Sequence, residues 1–315
     1  VPLQQKTLTI PETLAGQRAD RAVLQMCSLS RDQINGLFDH GCIRRNGTVC
    51  QMPWERLQLG DVVEVNYDPH QRYHTKRKPP KNLGFEIIHE DEHLIVVNKP
   101  PAWLTVPTTY GETNTLINRI SAYLSLSGKK REAFVAHRLD RGVSGLLVFG
   151  KSLEMAQKLR DQFELRKPQR EYVAIVRGSL ETSEGTFRTH LATGDNLTRY
   201  STDESPETQL AITHYRVIEA LRDATLVQIW LETGRRNQIR VHFAEVHHPV
   251  LGDPRYEPAL AQHASWNAKR IALHARSLGF QHPVSLDAYR FESELPAAFV
   301  EFIKQASLHK SRRNK

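Results

Sequence analysis

The segment His137-Arg138-Leu139-Asp140-Arg141-Gly142-Val143-Ser144-Gly145 sets one carboxylate between two arginines and follows it with two glycines ahead of an apolar run. Glycines permit a tight turn and close approach by a ligand, and a neighbouring guanidinium favours the ionised acid, so Asp140 has the setting of a nucleophile. The same residues also make a turn-stabilising aspartate paired with arginine, and local composition alone favours that second reading. Another group, Thr233-Gly234-Arg235-Arg236-Asn237-Gln238-Ile239-Arg240-Val241-His242, ends a strand-like run and opens a helix-like one. Backbone N–H groups at a helix start, with Arg235 and Arg240 beside them, would hold a phosphate or an acid such as Asp140. A solvated basic turn has the same composition.

Other chemistry has weaker support. His242, Glu245, His247 and His248 crowd one stretch, but they do not match His-Glu-x-x-His and lack a clear third ligand, so no metal is expected. Neither a Gly-x-x-x-x-Gly-Lys loop nor a Gly-x-Ser-x-Gly elbow is present. Nothing therefore indicates a nucleoside triphosphate or a hydrolase serine, and no cofactor is expected.

The elements that must position these groups fall into two folded parts. From residue 84 to about 306, strand-type runs dominate: 93–97, 145–149, 171–176, 212–217 and 225–231. Helical spacing of Leu153, Ala156, Leu159 and Phe163 after Ser152, and a further helix over 238–247, interrupt them. Strands and helices without regular alternation predict an α+β domain on a mixed, largely antiparallel sheet. Upstream, residues 9–67 predict a small α/β unit. Asp20 and Ser30 each precede a short amphipathic helix, the second stopping at Gly41, and Asn46-Gly47 marks a hairpin ahead of a closing strand over 60–65. Residues 68–83 are rich in His, Pro and cations (Arg72, Lys76, Arg77, Lys78, Lys81) and predict a basic linker, and 307–315 a disordered basic tail.

The chain of 315 residues carries a formal net charge of +8, with a pI near 9.4, which favours a polyanionic partner. Three cysteines, Cys27, Cys42 and Cys50, without a Cys-x-x-Cys pair suggest neither a disulfide framework nor a zinc ribbon and fit a reducing compartment. No signal-type apolar region and no membrane-spanning stretch stand out, so the expected location is cytoplasmic.

Several ordered blocks resemble the pseudouridine synthases of the RluA family, across most of residues 84–305. The family's His-Arg-Leu-Asp-x-x-Thr-Ser-Gly-Leu block is similar to His137–Leu146, and its Asn-Lys-Pro turn to Asn98-Lys99-Pro100. Its Tyr-x-Ala-x-Val-x-Gly strand is similar to Tyr172–Gly178, and its arginine block to Thr233–His242. A run resembling His-Pro-x-x-Gly-Asp follows as His248–Asp253, then Leu273-His274-Ala275. The resemblance implies that Asp140 is the essential carboxylate, that Tyr172 packs on the target uracil, and that Arg240 pairs with Asp140. It further implies substrate contacts at Arg138, Asn98, Lys99, Arg235 and Gln238. The implied reaction breaks N1–C1′ of uridine, turns the retained base and joins C1′ to C5, with Asp140 acting either at the base or at the ribose. Val143 stands where the family usually has Thr, and Arg236-Asn237 where it has Thr-His.

The first folded part resembles the S4 RNA-binding domain through Arg18-Ala19-Asp20-Arg21, Ser30-Arg31 and Gly41–Gly47. That likeness implies RNA-backbone contacts from Arg18, Arg21, Arg31, Arg44 and Arg45. The expected partner is RNA, ribosomal in preference to transfer RNA, with no DNA or membrane partner and a monomeric chain. A noncatalytic S4-type RNA-binding protein associated with ribosomes is the rival expectation.

Overall fold

The computed structural model describes residues 3–50, 52–71, 73, 83–127, 131–165 and 168–307. The linker cations Arg72, Lys76, Arg77, Lys78 and Lys81 and the tail from Lys310 lie outside these residues. The chain divides into two compact units, Val1–Lys81 with Tyr123–Lys130, and Asn82–Ala122 with Arg131–Lys315.

The first unit runs β1 (Gln4–Thr9), α1 (Ala19–Met26), α2 (Arg31–Asp39), β2 (Ile43–Arg45), β3 (Thr48–Val49) and β4 (Val62–Tyr67). Its strands form an antiparallel sheet in the order β1-β4-β2-β3. Val23, Ile34, Leu37 and Phe38 on the helices bury against Ile43, Val63 and Val65 of the sheet. Ser30 starts α2 with a reciprocal cap: its Oγ accepts from the Gln33 N–H (3.3 Å), and the Gln33 side chain accepts from the Ser30 N–H (3.1 Å). Asp20 does not cap α1 as expected. It lies inside the first turn, where Arg18, the residue at the cap position, reaches it at 2.6 Å. Asn46 and Gly47 both take positive φ (51° and 78°), the backbone a two-residue hairpin turn needs. β1 has no counterpart in the elements read from sequence, because its outer residues are polar and mostly exposed and carry no apolar alternation.

The second unit runs β5 (Glu86–Glu90), β6 (Leu94–Lys99), α3 (Leu116–Leu124), β7 (Phe134–Val135), β8 (Ser144–Gly150), α4 (Leu153–Glu164) and β9 (Gln169–Arg177). It continues with β10 (Glu184–Thr193), β11 (Arg199–Thr202), β12 (Gln209–Leu221), β13 (Ala224–Leu231), α5 (Gln238–Glu245), β14 (Leu273–Gln281), β15 (Ala288–Glu292) and α6 (Ala297–Ala306). Among the described residues these strands make one sheet in the order β11-β10-β12-β13-β9-β14-β8-β6-β5, with β15 on β14 and β7 on β8. Every pairing is antiparallel except that of β8 with β14, which makes the fold α+β on a mixed, largely antiparallel sheet, as expected. The continuous apolar runs of β6, β8 and β9 are buried along their length, the pattern of strands covered on both faces. Ser152 caps α4, and Leu159 of that helix packs with Leu94, Val96, Leu146 and Val148.

The parallel contact of β8 with β14 depends on Gly145. Its φ is +122°, and a Cβ there would lie 2.2 Å from the backbone oxygen of Ala275. Backbone cannot yield as a side-chain tip would, so Gly145→Ala is expected to lower stability by about 3 kcal/mol or more. Denaturant unfolding checks this; a wild-type midpoint would show that the strands do not approach so closely.

Candidate active site

Asp140 lies in the loop between β7 and β8, and the backbone of that loop is held at three points. Thr105 Oγ1 donates to the Leu139 carbonyl (2.7 Å) and accepts from the Leu139 N–H (3.2 Å). The Gly142 N–H donates to the Pro101 carbonyl (2.7 Å), and the Ile271 N–H donates to the Gly142 carbonyl (3.1 Å). Gly142 has φ +91°, and a Cβ there would crowd Ile271 at 3.0 Å. Lys99, fully buried at the end of β6, ties down the supporting segment by donating to the carbonyls of Pro100 (3.0 Å) and Trp103 (2.8 Å). Burial pushes its pKa down to about 7, against the opposing pull of Asp140 and with Arg270 adding to the fall.

Arg240 on α5 meets two carboxylates. Its Nη1 donates to Asp140 (2.9 Å), while Nε and Nη2 form a bidentate pair with Asp253 (2.6 and 2.8 Å). Burial opposes its charge, but the bonds to Asp253 and the nearby Asp140 outweigh that, and its pKa lies above the ordinary arginine value. Asp253 is wholly buried and also accepts from the N–H groups of Arg255 (2.9 Å) and Tyr256 (3.2 Å). Asn237, at φ 58° ahead of α5, turns its Oδ1 to Arg240 Nη1 (3.1 Å) and its Nδ2 to the Tyr256 hydroxyl (3.0 Å). One guanidinium is thus fixed by four hydrogen bonds, one of them to Asp140.

Asp140 borders two cavities. The smaller, about 130 Å³, is lined by the apolar Val143, Leu231, Ile239 and Leu273 and the ring of Tyr172, with Arg138, Arg235, Arg236 and Arg240 also bordering it. Tyr172 is buried on β9, its hydroxyl bonds to nothing among the described residues, and burial, more than the nearby Asp140, raises its pKa while Arg170 opposes. The phenol therefore stays neutral. The larger cavity, about 650 Å³, is bordered by Arg138, Arg141, Arg236, Arg255, Lys269 and Arg270, with Asp140 its only acid. A flat uncharged ring suits the first and a phosphodiester the second, and the carboxylate stands where the two meet.

A model of the RNA pseudouridylate synthase family matches residues 93–245, from β6 through α5, and so includes Asp140, Tyr172 and Arg240. A protein of Zymomonas mobilis named ribosomal large subunit pseudouridine synthase D is 35% identical over 307 residues, covering 94% of this chain and 95% of that one. The chain belongs to the RNA pseudouridylate synthase family. Another relative of the same name, from Pasteurella multocida, is 32% identical over 92% of this chain and 91% of its own. Among solved structures, human RNA pseudouridylate synthase domain containing 4 has a TM-score of 0.59 at 24% identity, covering 70% of this chain and 92% of that one, a likeness of fold. By family the protein is an isomerase acting on uridine in RNA.

Within this pseudouridine synthase framework, six of the residues singled out from sequence border the smaller cavity: Arg138, Asp140, Tyr172, Arg235, Gln238 and Arg240. Arg138 is exposed, borders both cavities and has no bonded partner among the described residues. Arg235 donates through Nε to the Leu210 carbonyl (3.1 Å). Gln238 is buried with its amide saturated by Thr233, Thr213, Ile212 and the Arg235 N–H, so it shapes the turn and has no free group for a substrate. Asn98 and Lys99 lie elsewhere. Asn98 bonds Glu86 on β5 (3.1 Å) and Lys99 faces the interior, and neither borders the cavities.

His137 accepts the Val148 N–H at 3.2 Å and stacks on Phe163, and burial brings its pKa down to about 3, so it is a neutral structural residue. His242 lies between Thr189 and Thr213 (2.9 Å each), while Glu245, His247 and His248 turn to separate partners. Among the described residues no group of three potential ligands converges on a metal position. No described helix is long and apolar enough to cross a membrane. In the first unit Arg18, Arg21 and Arg31 border one cavity of about 620 Å³. Arg44 and Arg45 stand apart from it: Arg44 donates to the Gly47 carbonyl (2.9 Å), and Arg45 pairs with Glu55 (2.7 Å) and Asp61 (2.6 Å). Thr105, Asp253 and Arg270 escaped the sequence reading as site residues.

Proposed function

We propose that the protein converts uridine to pseudouridine in large-subunit ribosomal RNA, with Asp140 as the essential carboxylate. The observation that carries the reading is the position of Asp140 between a small cavity walled by Tyr172 and aliphatic side chains and a cationic cleft, in the grip of Arg240. The uracil leaves its stack and enters the small cavity, where Tyr172 compensates lost stacking and the walls retain the base after N1–C1′ breaks. Asp140, paired with Arg240, acts at the base or at C1′ of the ribose. The base turns, C1′–C5 forms, the C5 proton departs and N1 takes up a proton, so atoms balance without a cofactor. Arg240 keeps the carboxylate aimed, and Arg138, Arg235 and the cleft cations meet the RNA.

Ribosomal RNA is preferred over transfer RNA because the relatives whose names specify large-subunit RNA align with both units of this chain. The helix pair and hairpin of the first unit support the S4-like assignment, in which the arginine group of Arg18, Arg21 and Arg31 holds RNA backbone and sets affinity. A cytoplasmic location follows from that substrate. The test is release of tritium from RNA labelled at uracil C5. Large-subunit RNA should release it to a stoichiometric limit and transfer RNA should not. Binding of both RNAs with release from neither would leave a noncatalytic RNA-binding protein.

A further inference from the structure

Arg270, just ahead of β14, borders the cationic cleft beside Asp140. Its guanidinium bonds only uncharged acceptors: Nη2 donates to Ser144 Oγ (2.7 Å) and the Leu273 carbonyl (3.1 Å), and Nε to the Ile271 carbonyl (3.2 Å). One face packs over the ring of Phe299 at 5.2 Å. Nη1 has no partner among the described residues, and no carboxylate is bonded to the group. Burial without an acid brings its pKa down to about 10. Arg240, more deeply buried, holds two carboxylates. A guanidinium kept in such a place without its counter-charge is suited to an anion that arrives from outside.

The uncharged contacts also fix where it points. Arg270 can only donate, so Ser144 Oγ accepts from it and has its own proton left for His274 Nδ1 (2.7 Å). His274 then carries its proton on Nε2 and donates to Ser293 Oγ (2.8 Å), which donates to the Arg276 carbonyl (3.5 Å). This assignment uses every hydroxyl proton, and burial keeps His274 in the neutral form it requires, with a pKa of about 4. Ser144 is the first residue of β8, immediately after the loop that carries Asp140. The network thus holds Arg270 and the catalytic loop to one frame.

We propose that Arg270 binds, through its free Nη1 edge, the phosphodiester of the nucleotide whose base enters the small cavity, and so sets the ribose against Asp140. The proposal rests on the pseudouridine synthase reading above. The experiment replaces single phosphates flanking the target uridine with neutral methylphosphonates in a large-subunit RNA fragment. For the wild type, one such replacement should lower kcat/KM roughly 10- to 100-fold, the range of one charge-assisted hydrogen bond. Arg270→Gln should lose as much on ordinary RNA, lose nothing further on the modified RNA, and reduce the salt slope of binding by about one. Ser144→Ala keeps the charge but removes an acceptor that aims it, and should lower kcat/KM with the salt slope unchanged.

Should Arg270→Gln not fold, Arg270→Lys takes its place, and the methylphosphonate penalty should shrink in it. Penalties of variant and methylphosphonate that multiply would overturn the proposal, as would the absence of any penalty in the wild type at phosphates within one nucleotide of the target. Dissociation constants for the same RNAs separate this from the wider reading. A wild type that never releases tritium defeats the assigned reaction, while the coupling of Arg270 to the phosphate is still read from binding.

Discussion

Asp140→Asn is expected to lower kcat for tritium release by roughly ten-thousand-fold or more, the scale seen when an essential reacting group is removed. Asparagine keeps the shape and an oxygen that accepts from Arg240 Nη1, but its amide is neither an effective nucleophile nor a base. The substitution leaves the bidentate pair of Arg240 with Asp253 in place, so no buried charge is stranded. Stability should therefore change by no more than about 1 kcal/mol. RNA affinity should hold or rise, because the only acid of a cationic cleft has been neutralised. Single-turnover tritium release, RNA binding and a thermal melt on one preparation check all three. Turnover within tenfold of wild type, with the fold and binding intact, would remove Asp140 from the chemistry.

The loop chemistry was legible in the sequence because it is local: an acid, two arginines and two glycines sit within nine residues, and the structure uses the glycines for positive φ. The caps and turns at Ser30, Asn46-Gly47 and Ser152 were legible for the same reason. Lys99 and Asn98 were not. In a strand buried on both faces, such as β6, the apolar run has no alternation to tell which neighbour turns inward, and a lysine there looks like a surface cation. Thr105 carries no signal at all, since one hydroxyl becomes a clamp only when Leu139 is folded against it. Arg270 looked like one cation among many; only its lack of an acid, seen in three dimensions, sets it apart. At Arg236-Asn237, where the family usually has Thr-His, the sequence did not show how the turn is held. Asn237 holds it by adopting the left-handed backbone that asparagine tolerates and by joining Arg240 to Tyr256.

Asp253 was legible only as the end of a run, and its role separates stability from catalysis. Arg240→Met would leave Asp253 buried with two backbone N–H groups and no cation, a state that costs about 3–5 kcal/mol when one partner of a buried pair is removed. Adding Asp253→Leu removes the stranded charge, and because an apolar pair of similar volume is often neutral or stabilising, the double variant should recover most of that loss. Turnover should not return. Asp140 would have lost the guanidinium that orients it, and both variants should sit roughly a thousandfold below wild type in kcat, within the range that a misplaced reacting group explains. Denaturant midpoints beside single-turnover tritium release decide the matter. If Arg240→Met unfolds at the wild-type midpoint, Asp253 is not the charge that anchors this arginine. If the stable double variant turns over, Asp140 does not depend on Arg240, and the carboxylate must be aimed by the Thr105 and Gly142 clamps of its own loop.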